Sequence, residues 1–95
     1  MNSVQDALYN WLTIKVVCDE RPTDKAAVET ESMFLAILEE DHKVSDITIE
    51  VDDVMYHISY VKGKEIFKTR FPRELIEVMI NQIKDSPEKY VNYPN

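Results

Sequence analysis

The stretch Ile47-Thr48-Ile49-Glu50-Val51-Asp52-Asp53-Val54-Met55-Tyr56-His57-Ile58-Ser59-Tyr60-Val61 alternates apolar and polar side chains on either side of a pair of aspartates. A period of two puts Ile47, Ile49 and Val51 on one face of a strand and Thr48, Glu50 and Asp52 on the other. The second half repeats this, with Val54, Tyr56, Ile58 and Tyr60 opposed to Met55, His57, Ser59 and Val61. If Asp52-Asp53 forms a two-residue hairpin loop, Val51 pairs with Val54, Ile49 with Tyr56 and Ile47 with Ile58, and every partner falls on one apolar face. Gly63 supplies the positive φ of the next turn, and a Gly63-Lys64 loop aligns Tyr60 with Phe67, Ile58 with Thr69 and Tyr56 with Phe71. The expected product is a three-stranded antiparallel meander with strands at 46–51, 54–61 and 65–71.

On both sides of the meander the period becomes helical. Ser3 followed by Asp6 is a capping signal, and Ala7, Leu8, Trp11, Leu12, Ile14 and Cys18 then recur along one stripe, which predicts a helix over 4–19. Pro22 disfavours the α conformation at Arg21 and ends it. Thr23 is the expected cap of a second helix over 24–41, with Asp24 in its first turn and Ala26, Ala27, Thr30, Met33, Phe34, Ile37 and Leu38 as its buried stripe. The apolar run Met33–Leu38 is wide for a helix with one wet side, so this helix is expected to pack between the first helix and another surface. After the meander, Pro72 and Glu74 suit the first turn of a helix over 72–85, with Leu75, Ile76, Met79, Ile80 and Ile83 facing inward. The tail 87–95, with Tyr90, Val91 and Tyr93 between two prolines, reads as a turn and a loosely docked extended end. The order α-α-β-β-β-α predicts an α+β fold with the helices on one face of the sheet.

Ninety-five residues suffice for one domain, 1–95, and not for two. A composition of 44% hydrophobic and 31% charged residues is that of a folding chain. One glycine and one cysteine leave no glycine-rich phosphate loop, no internal disulfide and no Cys-pair zinc site. No cofactor is therefore expected. The opening residues lack a basic and then apolar signal segment, and no apolar run approaches the roughly 20 residues that span a bilayer. The chain thus reads as cytoplasmic, away from membranes, with its unpaired cysteine suited to a reducing compartment.

The net charge of −7 is unevenly spread. Residues 19–53 carry twelve acids against Arg21, Lys25 and Lys43, whereas residues 62–73 carry Lys62, Lys64, Lys68, Arg70 and Arg73 against Glu65 alone. A basic strip lies in an acidic body.

Residues able to carry chemistry are few. His42 follows Glu39-Glu40-Asp41 at a predicted helix end, where an imidazolium is stabilised by carboxylates and dipole, and it reads as a solvated terminus rather than a metal ligand. His57 falls on the outward face opposite Thr48, near Lys68 and Arg70, whose charge would disfavour its protonation. Cys18 continues the apolar stripe of the first helix and reads as a buried structural thiol. Glu50, Asp52 and Asp53 share a hairpin but lack the glycine and spaced ligands of a calcium loop, so no metal site is expected. No nucleophile, base and orienter occur together, and no catalytic residue is assigned.

The outer face of the meander is the most informative surface. Thr48, Glu50, Met55, His57, Ser59, Val61, Ile66, Lys68 and Arg70 fall there, and no remaining element is available to cover them. Apolar Met55, Val61 and Ile66 beside His57, Lys68 and Arg70 form a candidate partner-binding set. The expected function is that of a non-catalytic protein-interaction or regulatory module, the partner being another protein or a second copy in a homodimer. The alternative is a role related to nucleic acid. It would act through contact by the strip 62–73, or through mimicry of nucleic acid by the acidic 19–53 segment. Direct contact is disfavoured, because the pattern puts the stacking candidates Tyr60 and Phe67 in the core.

Overall fold

The Ser3 hydroxyl accepts from the Asp6 amide at 3.1 Å, satisfying one of the orphan donors of the first turn, and α1 runs from Val4 to Glu20. The computed structural model describes residues 3–85, the side chains of 83–85 excepted; the expected tail 87–95 lies outside the described residues. Beyond the turn at Pro22, the cap of the second helix is Asp24 rather than Thr23, its Oδ1 accepting from the Ala27 amide at 3.2 Å. Helix α2, Lys25–Ala36, then widens into a π turn at Ile37–Asp41, where the His42 amide reaches back to the Ile37 carbonyl at 3.3 Å. Of its predicted stripe only Ala27 and Leu38 are buried, and Met33 is 55% exposed. The helix packs chiefly along α1, so part of its broad apolar surface remains wet.

Strands β1 (Val44–Val51), β2 (Met55–Lys62) and β3 (Glu65–Pro72) form one antiparallel sheet in that order. The second hairpin has the predicted register, Tyr60 opposite Phe67, Ile58 opposite Thr69 and Tyr56 opposite Phe71, with Gly63 at φ 66°. The first hairpin differs by two residues: Val51 pairs with Tyr56 and Ile49 with Ile58. The reason lies in the Asp52 side chain. Its Oδ1 accepts from the amides of Val54 (2.8 Å) and Met55 (2.6 Å), and the Asp52 amide donates to the Met55 carbonyl at 3.0 Å, which makes a four-residue loop. A shift of two keeps every side chain on its predicted face.

β1 also begins earlier than the alternation predicts. Its pairing slips between Ser45 and Thr48, where Asp46 adopts φ 51°. One extra residue reverses the alternation, so Val44 reaches the inner face although it is even-numbered like outward Thr48 and Glu50. There it is buried.

Pro72 ends β3 instead of opening a helix, and the predicted helix 72–85 is two pieces, α3 (Arg73–Ile76) and α4 (Val78–Asp85). Glu77 between them has φ −92° and ψ 8° but keeps helical hydrogen bonds on both sides, so the axis bends there without a gap. Ile76 and Ile80 face inward as predicted, whereas Leu75 and Met79 are exposed, since so short and bent a helix buries only a narrow stripe.

The core lies between α1 and the inner face of the sheet. Ala7, Leu8, Trp11 and Leu12 form one cluster with Leu38, Val44, Tyr56, Ile58, Phe71 and Ile76, and Val17, Ala27 and Ile80 form a second that joins α1, α2 and α4. Leu8, Leu12, Leu38, Ile58 and Ile76 each contribute about 1.5–3 kcal/mol through burial. The fold is α+β, with its helices against one face of the meander. Among the described residues no helix is long and apolar enough to cross a membrane.

Candidate functional site

With the helices on the inner face, the outer face of the meander is left open among the described residues. The register stacks its side chains in rows: Met55 beside Pro72, then Glu50-His57-Arg70, then Thr48-Ser59-Lys68, then Ser45-Val61-Ile66. All six residues of the predicted partner-binding set, Met55, His57, Val61, Ile66, Lys68 and Arg70, therefore share this face. Ile66 is 72% exposed, Lys68 and Arg70 are exposed, and Met55, His57 and Val61 are half-buried by their neighbours.

The corrected register changes the surroundings of His57. It stands between Glu50 and Arg70 rather than opposite Thr48, and its Nε2 lies 2.6 Å from Asp52 Oδ2. Asp52 thereby spends both oxygens, one on the loop amides and one on the imidazole. The His57 hydrogen bond, followed by those of the Val54 and Met55 amides, pulls the Asp52 carboxyl down to about 2. Among the described residues no three His, Cys, Asp or Glu side chains come together with the geometry of a metal site.

The basic strip does not form one patch. Lys68 and Arg70 lie on the outer face, Lys62 alternates to the inner side with Tyr60, and Arg73 turns to Glu77, its Nε 3.1 Å from Oε2. Tyr60 and Phe67 stack with centroids 5.6 Å apart, but Phe67 is 38% exposed and Tyr60 half-buried, not core as the pattern predicts. They stand at the turn end of the inner face, where Tyr60 packs against the main core cluster.

A second feature was not legible in the sequence. A groove of about 850 Å³ lies between α1 and the inner face of β1, floored by Trp11, Leu12, Leu35, Ile47 and Ile49 and edged by Asp19, Glu39 and Asp46. It exists because the helices cover the sheet unevenly, leaving Ile47, Ile49 and Val51 partly open. Trp11 is held by donating from Nε1 to Glu31 Oε2 at 2.8 Å. At the far end the Tyr56 phenol donates to Glu77 Oε2 at 2.5 Å. Burial, then the hydrogen bond to Glu77, pushes Tyr56 up to about 12, so at neutral pH it is a neutral donor and no base. Only the tertiary fold brings Tyr56, Arg73 and Glu77 together, and their mutual bonds tie the α3–α4 bend to β2.

Cys18 is half-buried rather than buried, packed beside Val17, Ala27 and Ile80. Burial, then the charges of Glu31, Asp19 and Asp24, push its thiol up, which keeps it protonated and a poor nucleophile. His42 is also half-buried, and its Nε2 has no hydrogen-bond partner among the described residues. The solvated terminus expected there is thus corrected, since the ring's Nε2 is shielded from solvent. No protein-family model matches this chain, and neither a curated protein nor a solved structure does.

Proposed function

We propose that this chain is a non-catalytic protein-interaction module that docks through the outer face of its sheet. The observation that carries the reading is Ile66, 72% exposed at the end of a row with Val61, on a face that also holds Met55, Lys68 and Arg70. Three strands about 4.8 Å apart and eight residues long at about 3.3 Å each give a face of roughly 380 Å². An open area of this size, with Met55 and Pro72 at one end and Val61 and Ile66 at the other flanking the charged and polar rows between them, has the character of a protein-binding site. The protonated Cys18 thiol and the engaged Tyr56, Arg73 and Glu77 side chains support a structural rather than a catalytic use of those groups. A free cysteine in this setting suits the reducing cytoplasm. The division of the basic strip between two faces favours a protein partner over nucleic acid.

A photo-reactive side chain at Lys68, compared with one at the exposed Glu29 of α2, tests the reading in cells that make the protein. Covalent protein adducts from position 68 and none from position 29, abolished by Ile66→Asp, are the expected result. Equal adducts from both positions, or none from either, overturn it.

A further inference from the structure

We propose that the partner on the outer face is a second copy of this chain, packed sheet to sheet about a two-fold axis that runs along β2. The inference rests on the reading of this face as a protein interface, and what selects the partner is the layout of charge across the strands. In the row Glu50-His57-Arg70 the acid stands on β1, the cation on β3 and the imidazole between them. Rotation by 180° about an axis parallel to β2 places β1 of one copy over β3 of the other while keeping each row at the same height. Glu50 then faces Arg70 of the second copy, and the symmetry makes the same pair again on the other side. The row Ser45-Val61-Ile66 faces itself reversed, which brings Val61 against its counterpart and sets each Ile66 over Ser45 of the other copy. His57 lies on the axis opposite its own copy, its Nε2 held 2.6 Å from the Asp52 carboxylate.

The other way to pack two such faces has its axis perpendicular to the strands. It sets β3 over β3 and β1 over β1, gathering Lys68 and Arg70 from both copies on one side and Glu50 from both on the other. Repulsion between like charges excludes it, so the layout selects one orientation. The area covered by both copies, about twice the 380 Å² of one face, falls below the roughly 1,200–2,000 Å² of stable interfaces. The dimer is accordingly a weak one that dissociates on dilution.

Sedimentation equilibrium of the full chain from about 10 µM to about 1 mM, the range in which so small an interface would form, tests this. The expected mass rises with concentration from 11.1 kDa toward twice that value. Arg70→Glu alone and Glu50→Arg alone each weaken association at least tenfold by setting like charges opposite each other, and the double variant Glu50→Arg/Arg70→Glu restores it to within about threefold. Circular dichroism confirms that all three are folded. A mass that stays at one chain throughout, or charge reversals that neither weaken association singly nor restore it together, overturns the second copy as partner. In that event adducts from Lys68 to another protein leave the interaction reading standing, whereas a monomer without adducts removes both.

Discussion

The phenol of Tyr56 and the Nε of Arg73 converge on one oxygen, Oε2 of Glu77, at 2.5 and 3.1 Å. A β2 side chain thereby anchors the bend between α3 and α4, twenty-one residues away in sequence. Tyr56→Phe removes one hydrogen bond to a charged acceptor and is expected to cost about 1–2 kcal/mol in denaturant unfolding. Because the folded phenol titrates near 12 rather than 10, its contribution is complete below about pH 10 and is lost as pH rises toward 12. Absorbance titration at alkaline pH should show one late tyrosine that Tyr56→Phe abolishes.

Ile58 and Ile66 have the same side chain on opposite faces of the sheet, one fully buried and the other open. Ile58→Ala leaves a cavity against Leu8, Leu12 and Phe71 and is expected to cost about 2–5 kcal/mol. Ile66→Ala should stay within about 0.5 kcal/mol, the range of surface substitutions, when unfolding is measured at a dilution that keeps the chain monomeric.

Lys43 and Asp46 hold φ of 58° and 51°, in the left-handed region that glycine enters without cost. Lys43→Gly, just past the π turn, is expected to raise stability by up to about 1 kcal/mol, as glycine does at the position after a helix. At Gly63, where φ is 66° and a Cβ would meet no neighbour, Gly63→Ala should cost about 1–2 kcal/mol from backbone strain alone. Thermal unfolding of the two variants should move in opposite directions.

The Asp52 carboxyl, held near 2 by His57 and by the Val54 and Met55 amides, stabilises the first hairpin above about pH 4. Its folded value is depressed, so the contribution falls away as pH drops from about 4 toward 2. Carboxyl NMR should give the low midpoint in the wild type. His57→Ala should raise it only part of the way to the usual aspartate value, because the two amide donors remain.

Much of the sheet can be read directly from the residues. The alternation of Tyr56, Ile58 and Tyr60 against His57, Ser59 and Val61 settles which side chains face inward, and Gly63 sets the second hairpin because glycine enters the positive φ of that turn with no Cβ to strain it. The six outer-face candidates follow from the same alternation. Less was legible where a side chain bonds to backbone it meets only in the folded loop. Asp52 lengthens the first hairpin through the Val54 and Met55 amides, and Arg73 supports that loop by donating its amide to the Val54 carbonyl at 2.8 Å and its guanidinium to the Asp52 carbonyl at 3.1 Å.

By itself the sequence determined the class of fold, the order of its elements and the face on which each strand residue lies, because these depend on periodicities of two and 3.6 carried by the chain itself. Only the tertiary structure decided how far the helices spread over the sheet. That extent opens the groove beside β1, leaves Phe67 partly wet and Met33 exposed, and bends the last helix at Glu77. Each of these outcomes depends on contacts between residues distant in sequence, and hydrophobic periodicity identifies an apolar stripe without specifying which surface will cover it.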